Sequence, residues 1–307
     1  MVNNFKLQSK LLYVMFDKYK KISSRLFGSF AERLEGRLGG LKKGLQKSDL
    51  GILYRTYISV ILFTTFLVFL GSLVSVPFFM YIFLSETLFY SILMGTGISM
   101  LLASFTFLFV YYYPIQKSNS RAKNIKSNLP FAINHMSAIA NSKVPPYVIF
   151  KLLAQFEEYG EVSTEAGKVV RDVDVFGHDM STALKQASKR TPSEKFKDFL
   201  SGLISVEETG GSLIDFLEVQ ADKAMFDYRQ KRKRYLDTLS TYADFYTAVL
   251  IAAPLFLVAV LTTMSMVGGE VLGMDIRDAM ALGIYGAIPL MNTIFIAFIH
   301  FTQPEVV

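Results

Sequence analysis

The sequence predicts an all-α membrane protein: four transmembrane helices in two hairpins, with a cytoplasmic six-helix-bundle domain inserted between them. Three observations predict it. Hydrophobic residues fill 51% of the 307 positions and charged residues only 19%, and mean hydropathy is +0.34; the core of a soluble chain of this size could not hide so much apolar surface. Four runs of 25 to 30 residues contain no Asp, Glu, Lys or Arg. Lys and Arg gather at one end of these runs and are nearly absent from the other.

Residues 1–55 read as a cytoplasmic, basic, amphipathic region of one or two helices. Leu12, Met15, Tyr19, Ile22, Leu26, Phe30, Leu34, Leu38, Leu41 and Leu45 recur every three or four positions, the spacing of one helix face. Twelve Lys and Arg oppose four acids, a balance that suits an anionic membrane surface; a docking face inside an assembly fits equally. The apolar run 11–16 is too short for a secretory signal and lacks a small-residue cleavage site.

Residues 56–113 make the first membrane hairpin. Runs 56–85 and 87–116 are each 30 residues long and are separated only by Glu86, whereas about 20 apolar residues cross a bilayer. Residues 244–307 make the second hairpin and a short cytoplasmic tail, from runs 245–269 and 279–304. Pro77, Pro254 and Pro289 lie within these runs and predict kinks, because neighbouring helices in lipid can satisfy the freed carbonyls. Fourteen Lys and Arg flank the spans on one side (in 36–55, 114–133 and 225–243), against Arg277 alone in loops 85–87 and 268–280. The positive-inside rule then places both termini and the central segment in the cytoplasm, on a multi-pass protein of the cytoplasmic membrane.

The central segment, 114–243, is patterned as helix throughout. A first helix spans about 129–141, with Pro130 in its first turn. Pro145-Pro146 open a second that ends near Gly160. Ser163 or Thr164 caps a third with the stripe Ala166, Val169, Val170 and Val173, and Met180, Ala183, Leu184 and Ala187 mark a fourth. Thr191-Pro192-Ser193-Glu194 reads as a capping box opening a fifth, carried by Phe196, Phe199, Leu200, Leu203 and Ile204. Gly210-Gly211 form the structural turn that stops it. Ser212 and Asp215 start a sixth, which meets no breaker before Pro254 and so continues into the third span.

Chemistry-bearing constellations are missing. Cysteine is absent and the three histidines are scattered, so no thiolate or metal set forms. Gly160 to Gly167-Lys168 has the wrong spacing for a phosphate loop. Asp172-Val173-Asp174 and Glu207-Glu208 are close carboxylates whose neighbours diverge on a helix, which favours solvated faces over a metal clamp. No cofactor is expected. The charge-free spans argue against a coupled transporter, although a small-molecule carrier of neutral solutes stays the alternative. A membrane-anchored enzyme would need catalytic groups that no spacing supplies.

Packing and charge signals remain. Ser91, Gly95, Ser99 and Ala103 recur every fourth residue, letting helices approach closely within the chain or across a dimer. Arg229, Lys231, Arg232, Lys233 and Arg234 form a basic run on the sixth helix. It serves either as a topology and lipid-headgroup signal or as a docking surface for an acidic partner. No aromatic platform accompanies it, so nucleic acid is not expected.

Three stretches resemble the type II secretion F domain of membrane platform proteins for type IV pili, archaella and type II secretion. They are Leu129-Pro130-Phe131-Ala132 through Met136 to Val144-Pro145-Pro146; Gly177 through Ala183-Leu184 to the Thr191 cap; and Val206-Glu207-Glu208-Thr209-Gly210-Gly211-Ser212-Leu213 with Leu217. The likeness covers about 114–268 and is strongest to archaeal members. Many relatives carry two copies of this domain and only one is visible here; the glycine signature reads Glu-Glu-Thr-Gly-Gly where Gly-Glu-Ser-Gly is frequent. The resemblance implies a non-enzymatic platform that couples a hexameric secretion ATPase to extraction and polymerisation of pilin subunits. It also implies membrane lipids as surroundings, and a homodimer or pairing with a related platform chain to supply the second domain. The basic run, with Glu207 and Glu208, would contact the ATPase or lipid.

Overall fold

The computed structural model describes residues 2–36, 38–84, 88–268, 270–271 and 273–302. The expected turn at Glu86 lies outside these residues, and Leu12 and Met15 lie outside those whose side chains are described. The chain divides into two compact units, Met1–Leu217 and Glu218–Val307. Among the described residues, four helices are long and apolar enough to cross a membrane: Tyr54–Ile82, Phe89–Ala140, Leu213–Met266 and Ile276–Thr302.

The first unit begins with α1 (Val2–Glu35) and α2 (Gly39–Lys47), followed by α3 (Tyr54–Leu84) and α4 (Leu88–Ala140). Helix α1 lies along α3. The Tyr19 and Thr64 hydroxyls share a hydrogen bond of 2.8 Å, Phe27 and Phe66 rings sit 5.7 Å apart, and Arg55 meets Glu32 at 2.6 Å. Ala31, Leu41, Leu45, Tyr57, Ile58 and Ile61 close into one buried cluster at the base of α3. Farther along, α3 exposes Phe66, Leu67, Leu70, Val74 and Phe78, apolar surface that only lipid or another chain can cover. The N-terminal stripe is therefore two faces. Tyr19, Ser23, Phe27 and Ala31 turn inward, whereas Ile22, Leu26 and Phe30 are exposed.

Helix α4 runs 53 residues with Pro114 and Pro130 inside it, about 80 Å at helical rise. Pro130 thus does not start a helix. Ile125, Leu129, Ala132, Ile133, Met136 and Ala140 are buried on both sides of it, and that continuous packing stripe outweighs the one hydrogen bond a proline forfeits.

Helix α5 (Pro146–Leu153) opens at the double proline and ends early; a single 3₁₀ turn, Glu157–Tyr159, then leads to Gly160. Helix α6 (Glu161–Asp174) has no cap from Ser163 or Thr164. Instead the Glu161 N–H donates to Asn124 Oδ1 of α4 at 2.8 Å. Gly160 permits this approach: its φ is +54°, and a β-carbon there would lie 2.6 Å from that oxygen. Helix α7 (Met180–Arg190) is capped by Asp179. Helix α8 (Glu194–Thr209) is capped by Ser193, which accepts from the Phe196 N–H. Pro192 therefore precedes the cap, and Thr191 ends α7. The five apolar positions expected on α8 are all buried.

Helix α9 (Leu213–Tyr246) continues through a π-helical turn, Thr247–Ala252, into α10 (Ala253–Val267), the unbroken passage that the sequence predicts. The second unit then has a two-residue antiparallel ladder, β1 (Glu270–Val271) with β2 (Met274–Asp275). It closes with α11 (Ile276–Leu282), a second π turn (Gly283–Ala287) and α12 (Ile288–Thr302). The ladder carries no alternating pattern long enough to read in advance, and it is the only extended pairing among the described residues.

Candidate functional site

Arg229, Lys231, Arg232, Lys233 and Arg234 are all exposed on α9. At 100° per residue they wrap more than half the helix circumference. Two are steadied along the helix, Arg232 donating to the Tyr228 hydroxyl at 3.3 Å and Arg234 to Gln230 Oε1 at 3.2 Å. The run is a belt of positive charge around an unbroken helix, suited to an acidic surface.

Glu207 and Glu208 end α8, and the structure separates their roles. Glu208 accepts from Lys185 and, at 3.1 Å, from the Ser181 hydroxyl, and the Lys185 hydrogen bond holds its carboxyl below the usual range. Glu207 makes no such contact among the described residues. Burial pushes its carboxyl up, and the charges of Asp179 and Glu208 push it further. Gly210 caps the helix in the left-handed region at φ +70°, and the Gly211 N–H returns to the Val206 carbonyl at 2.9 Å.

A buried ionic network, which no spacing in the sequence signals, lies between α4, α6 and α7. Glu165 is only 1% exposed and accepts from three cations: Arg121 at 2.8 Å, Lys168 at 2.9 Å and Arg190 at 2.9 Å. Arg121 also reaches Glu161 at 2.8 Å and the Lys47 carbonyl at 2.7 Å. Lys168 reaches Asp49 at 2.5 Å, and Arg190 reaches Asp172 at 2.8 Å. Asp172 is buried, so the expectation of a solvated face fails for it: Arg190 supplies the charge that makes its burial tolerable. Burial raises Glu165, but the hydrogen bonds and charges of Lys168 and Arg190 outweigh it and hold the carboxyl below its ordinary value. Asp49 is held low in the same way by Lys168. The network clamps the segment between α2 and α3 to α4, α6 and α7.

Ser91, Gly95, Ser99 and Ala103 are all buried on α4. A β-carbon on Gly95 would lie 2.5 Å from Cγ of Pro77, so the small side chain seats the proline ring of α3. Within this chain the stripe is the seam of the first hairpin. The second unit makes its own polar tie: the Tyr246 hydroxyl meets Asn292 Oδ1 at 3.4 Å, and Asn292 donates to the Ile288 carbonyl at 3.0 Å.

Residues 132–261 match the family model of the type II secretion system protein F, the family that the three sequence stretches resemble. The chain is similar to an uncharacterized protein of Methanocaldococcus jannaschii, 25% identical over 203 residues, covering 63% of this chain and 33% of that protein. It is also similar to the flagella accessory protein J of the same organism, 29% identical over 146 residues, covering 47% of this chain and 26% of that one. A third relative is the flagella accessory protein J of Methanococcus voltae, 23% identical over 145 residues with the same two coverages, 47% and 26%. The matched regions thus span a third or less of these relatives. No solved structure matches the chain at significance.

Proposed function

We propose that the chain is a non-enzymatic platform of the cytoplasmic membrane for assembling a type IV pilus-like filament: a pilus, an archaellum or a secretion pseudopilus. The observation that carries this reading is the family match across residues 132–261, which runs from the end of the second membrane-length helix into the third, with the first before it and the fourth after it. In this reading both termini and residues 114–243, a six-helix bundle, face the cytoplasm, and a hexameric secretion ATPase docks there. The exposed basic belt of α9 and the unpaired Glu207 are the proposed contacts. Pilin subunits are drawn from the membrane at the hairpins. Two copies, or this chain and a related platform chain, pair to provide two domains.

The parts suit transmission of force. Helices α4 and α9 carry rigid backbone from the membrane spans into the matched region. The Glu165 network ties α6 and α7 to the segment leading into α3, so a push on those helices reaches the first hairpin through packed charges rather than through a flexible linker.

Reversing the charge of Arg229, Lys231, Arg232, Lys233 and Arg234 to Glu tests the docking contact. We expect surface filaments to be lost while the protein persists in the membrane at its normal level. Normal filaments would remove the contact. Native mass spectrometry of the purified chain with the ATPase should give two chains per ATPase hexamer, and a chain that ignores the ATPase would overturn the coupling.

A further inference from the structure

A basic cleft of about 470 Å³ opens between α1 and the segment entering α3. Lys20, Lys21, Ser24 and Arg25 line it from α1 together with Asp17, and Thr56 lines the opposite wall. Three cations against one carboxylate leave a net charge of +2, and the Ser24 and Thr56 hydroxyls add two hydrogen-bond donors. Such a set takes an oxyanion of phosphate type.

Two observations point to the source of that phosphate. Thr56 begins the first charge-free run, so the cleft lies where a bilayer carries its headgroups. Beside it α1 exposes an apolar stripe, Ile22, Leu26 and Phe30, each half exposed or more, and Leu53 on the cleft wall is 80% exposed. Ile22 and Leu26 each follow a cleft cation by one residue, 100° round the helix. A free phosphate has no use for that stripe, whereas a lipid needs it for its acyl chains. We propose that the cleft is a specific site for an anionic phospholipid, the phosphate held by Lys20, Lys21 and Arg25 and the chains lying along Ile22, Leu26 and Phe30. Among the described residues the site is built from α1, the segment 51–53 and the start of α3, and it does not depend on the assembly reading.

The test uses the full chain in detergent, with bound lipid counted by native mass spectrometry after adding phosphatidylglycerol or phosphatidylcholine. The wild-type chain should retain phosphatidylglycerol at least about tenfold more strongly. Each cation removed near an anionic headgroup should weaken binding about fivefold, so a Lys20→Gln, Lys21→Gln, Arg25→Gln variant should lose on the order of a hundredfold for phosphatidylglycerol and markedly less for phosphatidylcholine, whose quaternary ammonium the cations repel. Ile22→Ser with Leu26→Ser and Phe30→Ser should weaken both lipids. Equal retention of the two lipids, or undiminished retention by the triple variant, overturns the site. Displacement of phosphatidylglycerol by millimolar inorganic phosphate would make it a soluble-anion site and overturn the lipid assignment. Should the triple variant unfold, Lys21→Glu at an exposed position repeats the comparison.

Discussion

Both membrane hairpins contain proline inside a helix, and they accommodate it differently. In the first, Pro77 stays within regular α-helix because Gly95 of the neighbouring helix leaves room for its ring. In the second, Pro254 and Pro289 each follow a π-helical turn, Thr247–Ala252 and Gly283–Ala287. The first hairpin absorbs the irregularity in tertiary packing, the second in its own backbone. Burial follows the same division: 28% and 17% of the span residues are buried in the first hairpin, 11% and 11% in the second. The first is braced by its own chain through the Ala31–Leu41–Tyr57 cluster, the seam and the ionic network below it. The second leaves its surface to lipid or partners, and π turns of this kind recur at functional sites.

The largest expected effect tests the brace. Glu165→Gln removes the one carboxylate shared by Arg121, Lys168 and Arg190 and leaves each cation only its second partner, Glu161, Asp49 or Asp172, a loss on the order of 3 kcal/mol. Denaturation in detergent, followed by a probe in each unit, should show the first unit failing and the second little changed; equal loss in both would break the comparison. Acid should act in the same place. Glu165 and Asp49 have folded values below their ordinary 4.5 and 3.8, so their stabilisation is complete above those values and is lost as pH falls through the folded ones. Stability of the first unit should therefore hold down to about pH 5 and decline below it, less steeply in Glu165→Gln. Glu207, raised instead, works in the opposite sense and softens the decline.

What could be read beforehand follows from the range of each interaction. The spans, the Gly210 stop and the seam are local patterns, fixed by runs or four-residue spacings within one helix. The network joins Arg121 to Glu165 across 44 positions and Arg190 to Glu165 across 25; a single sequence offers no signal for such pairs. Asp172 reads as surface because acids on a helix are usually solvated, and only Arg190 overrides that. The α6 cap is hidden from the sequence for the same reason, since its acceptor, Asn124, comes from another helix. Pro130 reads as a helix start, whereas packing on both sides carries α4 through it.

A middle-sized effect separates the hairpins with one kind of substitution. Gly95→Ala places a methyl 2.5 Å from a proline ring that has no soft end to move, and overpacking of this sort costs about 1–3 kcal/mol. Gly286→Ala in the second hairpin meets nothing within 4 Å and should stay within about 0.5 kcal/mol of wild type. Unfolding midpoints of the two variants in the same detergent decide it, and a reversed order would show that the seam is looser than its geometry.

The smallest effect concerns the π turn itself. Proline lacks the N–H that would close an α-helical bond to residue 250, and its ring crowds that carbonyl; widening the preceding turn relieves the clash. Alanine at 254 restores the donor and removes the ring, so the Thr247–Ala252 segment can return to α-helix. Pro254→Ala should leave global stability nearly unchanged while slowing amide exchange across 247–252, because tighter helical bonds open less often. Exchange unaltered by the substitution would mean that packing, such as the Tyr246–Asn292 tie, imposes the π turn. The second hairpin would then be braced after all, by a device other than the one that holds the first.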